Sequence, residues 1–157
     1  MESEMFRTFL IATALVAAPT AAANAQSCEA DPQFATHRTS NGIVRAQLNS
    51  LARAQWPQAI HFGVEVAESG ASPRDKVAAL SNLCYAYAAS GDAAEAIAAC
   101  DAALEYRSSA WRALNNRGAA NWLAGNRSAA AADFQAAAAV AGDEDEVEAN
   151  LALAQCS

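Results

Sequence analysis

Four cysteines (Cys28, Cys84, Cys100 and Cys156) and two histidines (His37 and His61) are the residues of this chain with the widest chemical repertoire. An even cysteine count in an exported chain points to disulfides, whose connectivity a sequence does not determine. The cysteines form no Cys-x-x-Cys spacing, which excludes a zinc ribbon and thioredoxin-like exchange. His37 lies in a segment without helical period, and His61 stands beside Phe62 in a helical stretch, as a surface or packing residue. There is no His-Glu-x-x-His, no phosphate-binding glycine loop and no nucleophile elbow. Carboxylates cluster only at 143–146, where they suit a helix start better than a docking site. The chemistry available is therefore covalent stapling and hydrogen bonding. The chain is read as a non-enzyme with no cofactor and no metal.

The element that must position these residues is a 34-residue pattern written twice, over 77–110 and 111–144. A shift of 34 places Leu80 over Leu114, Asn82 over Asn116, Gly91 over Gly125, Ala96 over Ala130 and Ala103 over Ala137. Self-similarity at this period marks a stacked helical repeat. The run Ala-Leu-Asn-Asn-Arg-Gly at 113–118, the turn Gly125-Asn126, and Ala130, Phe134 and Ala137 resemble the tetratricopeptide repeat; Leu80, Leu83, Cys84, Tyr87, Gly91-Asp92, Ala96 and Ala103 do so in the first copy. Two departures fall on cysteine: Cys84 replaces the small residue kept as Gly118, and Cys100 replaces the aromatic supplied as Phe134. The usual proline at the repeat end is Ser108 in one copy and Gly142 in the other. The resemblance implies an all-α fold, a short right-handed α-solenoid of antiparallel helix pairs.

The rest of the chain fits around the two copies. Residues 26–42 lack helical period and read as an extended arm ending in a turn at Thr39-Ser40-Asn41-Gly42. Residues 43–76 form a divergent first unit, with a helix over 43–54, a second opened by Trp56-Pro57, and Ser72-x-x-Asp75 capping the third. Ala59-Ile60 matches Ala96-Ile97 at a spacing of 37, and the excess lies in the loop at 69–73. Residues 145–157 form a capping helix that begins in the acidic run and ends near Gln155. Antiparallel helices about the Gly91-Asp92 turn bring Cys84 level with Cys100, so a bond there would pin the hairpin; the alternative is two free buried thiols. Cys28 and Cys156 are left near opposite ends. They could pair within the chain if the arm runs back along the stack, a reach of ~50 Å that its length permits, or between chains.

In tetratricopeptide folds the first helix of each pair lines a concave groove. The resemblance thus implies a groove face carrying Asn82, Asn116 and Asn150, 34 residues apart. A carboxamide donates and accepts at once, so three in a row would hold an extended peptide by its backbone; the alternative is a packing role between helices. Arg45, Ser81, Tyr85, Arg112, Asn115 and Trp122 are expected around this ladder. Arg112 could meet a ligand carboxylate. Trp122 is either an anchor for a partner or a cover for its neighbouring helix. The basic set of a chaperone-tail carboxylate clamp is missing, because Ser81 and Asn115 stand where lysines would serve.

Phe9 to Ala25 is a small, apolar run ending in Ala23-Asn24-Ala25, which reads as a signal peptide over 1–25 with Gln26 as the mature first residue. The run is shorter than the ~20 residues a spanning helix needs. Glu2 and Glu4 are unusual in a leader, so the start is either Met1 or Met5. These features point to a periplasmic or secreted, bacterial-style protein with no membrane attachment after cleavage. The net charge of −7, with Lys76 the single lysine, argues against nucleic acid and anionic membrane surfaces. Two readings follow. One is a module that binds a peptide or protein partner in its groove. The other is a self-associating structural envelope protein, a homo-oligomer with disulfide-linked ends.

Overall fold

A computed structural model describes residues 30–155. These contain seven helices and no strand: α1 (Gly42–Leu51), α2 (Trp56–Glu68), α3 (Pro73–Ser90), α4 (Ala93–Tyr106), α5 (Trp111–Leu123), α6 (Arg127–Ala141) and α7 (Asp145–Ala154). Each packs antiparallel on the next. In addition α1 touches α3, α3 touches α5, and α5 touches α7, so the odd-numbered helices form one continuous inner layer. The expected α-solenoid of three helix pairs plus a final helix is what forms.

Local chemistry sets the boundaries. Asn41 caps α1 by accepting from the Ile43 and Val44 amides, and Ser72 caps α3 by accepting from Asp75, with Pro73 in the first turn. Gly91 ends α3 at φ 94°, and Gly125 follows α5 at φ 83°, a left-handed conformation that side chains resist. The first helix is shorter than the expected 43–54. The Ser50 carbonyl accepts from both Arg53 and Gln55, and Ala54 turns to φ 53°, reversing the chain before Pro57. Likewise α7 begins at Asp145, after Gly142 at φ 73°; its first-turn acids are Asp145, Glu146 and Glu148.

Inside each helix pair one contact recurs with complementary residue sizes. In the third unit Gly118 faces Phe134, and a Cβ on Gly118 would lie 2.6 Å from the ring. One repeat earlier the same places hold Cys84 and Cys100, which are disulfide-bonded with Cα atoms 5.3 Å apart. In the divergent unit the pair is Gln47 and Gly63, with the Gln47 amide filling the space a Cβ on Gly63 would need. Each pair has the disulfide's sequence separation of 16. The three solutions are long on small, covalent bond, and small on aromatic.

A polar clamp ties three helices at the solenoid's second half. Arg117 on α5 donates Nε and Nη2 to the two oxygens of Asp133 on α6, at 3.0 and 2.6 Å, and Nη1 to Asp101 on α4 at 2.6 Å. Asp133 is buried, and its bidentate hold keeps the guanidinium charged well beyond the ordinary range. The Cys84–Cys100 bond closes a loop of about 15 residues and is expected to add ~3 kcal/mol. Urea unfolding with and without dithiothreitol should show that loss, and Cys100→Ala should remove the sensitivity of this hairpin to reductant.

Candidate functional site

The inner face of the solenoid is filled by the chain's own N-terminal arm, residues 30–41. The arm is extended, so the N–H and C=O of alternate residues point to the same side. Those of Gln33, Ala35 and His37 point at three carboxamides. The Gln33 amide donates to Asn150 Oδ1, and Asn150 Nδ2 donates back to the Gln33 carbonyl. Ala35 exchanges the same two bonds with Asn116, and His37 with Asn82. All six distances lie between 2.7 and 2.9 Å. The arm thus runs from α7 back to α3, opposite to the order of the repeats.

Each asparagine also holds the preceding inner helix. Asn82 Nδ2 donates to Gln47 Oε1 on α1 at 3.3 Å, Asn116 Nδ2 to the Ser81 carbonyl on α3 at 3.0 Å, and Asn150 Nδ2 to Asn115 Oδ1 on α5 at 2.9 Å. Gln47 Nε2 continues the series to the Ala79 carbonyl. Both amide hydrogens of every ladder asparagine are used, one on the arm and one on the stack. All three asparagines are fully buried.

Side chains secure the arm between the ladder rungs. Phe34 stacks on Tyr85 with ring centroids 4.7 Å apart and planes within 8°, and Trp56 closes on the same tyrosine at 5.9 Å. Ala35 is buried to 1 % exposure, and Pro32 is buried. Asn115 Nδ2 donates to the Gln33 carbonyl, and Arg112 Nε to the Thr36 carbonyl, both at 2.9 Å. The Arg112 guanidinium carbon lies over the Trp111 ring, 4.0 Å from its centroid. His37 is half-buried, and its Nδ1 is buried without a hydrogen-bond partner. Burial, followed by the charges of Arg112, Arg107 and Arg74, lowers its pKa to about 4.

Superposition on solved structures identifies the architecture. The Sgt2 tetratricopeptide domain from Aspergillus fumigatus aligns with TM-score 0.65 at 19 % identity, covering 80 % of this chain and 83 % of that one. The fold is that of a tetratricopeptide repeat domain. The first such domain of Spaghetti, bound to an HSP90 peptide, aligns with TM-score 0.65 at 17 % identity, covering 72 % and 89 %. The Arabidopsis OM64 domain aligns with TM-score 0.63 at 19 % identity, covering 72 % and 91 %. No protein-family model and no curated protein sequence matches the chain.

On this tetratricopeptide scaffold Asn82, Asn116, Asn150, Tyr85, Arg112 and Asn115 all meet at the arm. The ladder holds the chain's own extended arm and joins neighbouring inner helices. Trp122 departs from the partner-anchor reading: it is 5 % exposed, packed with Phe134 and Leu153, with Phe34 against that cluster and the Arg127 guanidinium 3.6 Å above its ring. It covers its neighbours. Arg112 donates Nε to a backbone carbonyl of the arm, Ser81 turns its hydroxyl to the Val77 carbonyl, and Arg45 is exposed away from the ladder bonds. Sequence reasoning missed the identity of the occupant and the role of Gln47. The signal for Gln47 was its place 35 residues before Asn82, the separation that also joins Ser81 to Asn116 and Asn115 to Asn150. Cys28 and Cys156 lie outside the described residues, but the arm does run back along the stack, as an intrachain bond between them requires.

Asn116→Ala should strip the partners from the Ala35 amide and carbonyl and from the Ser81 carbonyl. The expected cost is ~2–4 kcal/mol, from about 1 kcal/mol per lost bond plus buried groups left unpaired, read by chemical denaturation. The His37 shift has a defined sign. Its lowered pKa means the docked arm disfavours the proton, so docking is full above pH 6.5 and weakens as pH falls from 6.5 toward about 4. Protection factors at the Ala35 and His37 amides, corrected for the intrinsic pH dependence of exchange, should fall over that window, and His37→Gln should flatten the response.

Proposed function

We propose that the chain is an exported, non-enzymatic binding module that grips an extended polypeptide through its backbone, with its own arm as the resident occupant of the groove. The observation that carries this reading is the reciprocal pairing of Asn82, Asn116 and Asn150 with the peptide units of the arm. Contacts of this kind do not depend on side-chain identity, so a partner strand can replace the arm bond for bond. Other domains of this fold bind peptides in solved structures: Spaghetti holds the HSP90 peptide SRMEEVD, and the TPR2B domain of yeast Sti1 is in complex with pHsp70. Export is supported by the apolar leader ending at Ala25 and by the Cys84–Cys100 bond, which suits an oxidising compartment. These two features together support a periplasmic or secreted location.

The arm of a second copy carries the same backbone, so exchange of arms between chains is the route to self-association that the geometry favours. It remains the second reading. A variant that expels the arm but keeps the ladder separates the readings. Ala35 has no room for a larger side chain, so Ala35→Arg should free the groove in the full chain. A fluorescent peptide spanning residues 30–40 should then bind Ala35→Arg with at least tenfold higher affinity than it binds the wild-type chain. Asn116→Ala in the same background should abolish capture. If the opened groove takes no peptide, the binding reading fails; a concentration-dependent wild-type dimer that Ala35→Arg dissolves would establish arm exchange. An intact mass beginning at Gln26 checks the export argument.

A further inference from the structure

A second polar feature lies beside the groove, where the arm passes the connection between α4 and α5. A pocket of about 160 Å³ is lined by His37, Arg107, Ser109, Ala110, Trp111 and Arg112. Its lining is cationic in a chain of net charge −7. Among the described residues the ion pairs are those of Arg117, so neither Arg107 nor Arg112 is neutralised by a carboxylate. Arg112 is not free to swing away: Nε is tied to the Thr36 carbonyl and the guanidinium lies over Trp111. The buried Nδ1 of His37 has no hydrogen-bond partner. The pocket also meets the start of α5, where Ala110 provides no side-chain cap.

We infer that this pocket is a binding site for a small tetrahedral oxyanion of the phosphate and sulfate class. Two guanidinium groups, the Ser109 hydroxyl and the uncapped start of α5 line one pocket and supply donors, and like charges around one pocket are stabilised by an anion between them. A tetrahedral anion offers acceptors in several directions, which suits donors drawn from the α4–α5 connection and from α5. The site is formed with the arm docked, because the arm contributes His37 to its lining and holds Arg112 through the Thr36 carbonyl, but neither guanidinium group belongs to the asparagine ladder. A bound anion also offsets the arginine charges around His37, so occupancy and protonation of that ring favour one another.

The test is calorimetric titration of the full chain with inorganic phosphate, at ionic strength held constant with sodium chloride. Saturable binding at one site is expected. Arg107→Gln should weaken it at least tenfold with helicity unchanged, since Arg107 is exposed and its side chain makes no bond to the arm. Proton NMR of the His37 ring should show a pKa above about 4 when phosphate is saturating, and no such rise in Arg107→Gln. Phenyl phosphate in place of phosphate distinguishes the source: binding at least as tight assigns the site to a phosphate carried on a larger molecule, and exclusion assigns it to the free ion. No saturable heat, binding no better than chloride, or equal affinity in Arg107→Gln would overturn the assignment.

Discussion

The structure depends on the hydrogen-bonding capacity of a buried carboxamide. An asparagine side chain has two donors and an acceptor that water would otherwise satisfy, and leaving them unpaired in a core costs ~1–3 kcal/mol per group. Asn82, Asn116 and Asn150 are fully buried, so each must find partners inside the protein. The preceding helix takes one amide hydrogen. The other, with the carbonyl oxygen, matches the C=O and N–H of a single extended residue. A strand of polypeptide is therefore the natural complement of this inner face, and the arm supplies it. Solenoid and arm are mutually dependent: without the arm three carboxamides lose their partners, and without the ladder the arm has little regular structure of its own.

The same economy of shape governs the helix pairs. Only a small residue lets Phe134 approach α5, and Gly118 provides it. In the middle unit neither partner is large, and the bond between Cys84 and Cys100 holds the helices at the matching position. The disulfide thus substitutes for an aromatic contact at an equivalent site, in a chain whose apolar content is mostly alanine. Alanine favours helix but buries little area, so cross-links and polar clamps such as Arg117 with Asp133 and Asp101 carry a larger share of the specificity than in a leucine-rich core.

Much of this was legible in the residues. The 34-residue period located four of the helices, the Ser72 cap and Gly91 turn located their ends, and equal distances from that turn placed Cys84 beside Cys100. The resemblance to the tetratricopeptide repeat implied a groove face carrying the three asparagines. What period and spacing could not reveal was which chain would lie there. The arm has no amphipathic pattern, because its grip comes from backbone atoms that every residue possesses, and so Gln33, Ala35 and His37 carry no signature of their role. Trp122 was ambiguous for a related reason: a large aromatic at an inner-helix end fits either a partner or a neighbour, and Phe134, Leu153 and the Arg127 guanidinium decide it. The clamp of Arg117 joins three helices across sequence separations that no local pattern links.

The register of the arm narrows what else the groove can hold. Each repeat advances the ladder by one asparagine and the arm by two residues, so the ladder holds alternate residues, and among the intervening ones Arg112 holds the Thr36 carbonyl. Reading the backbone alone would make the groove indifferent to sequence, but two positions are not indifferent. Ala35 sits at the middle rung with almost no exposed surface, and the residue before it stacks on Tyr85. Thr36 and Arg38, by contrast, are exposed. An occupant that keeps all six ladder bonds must therefore place a small residue at the centre and benefits from an aromatic immediately before it. For the resident arm, the asparagines hold the backbone, and the space around Ala35 and the face of Tyr85 fit its side chains.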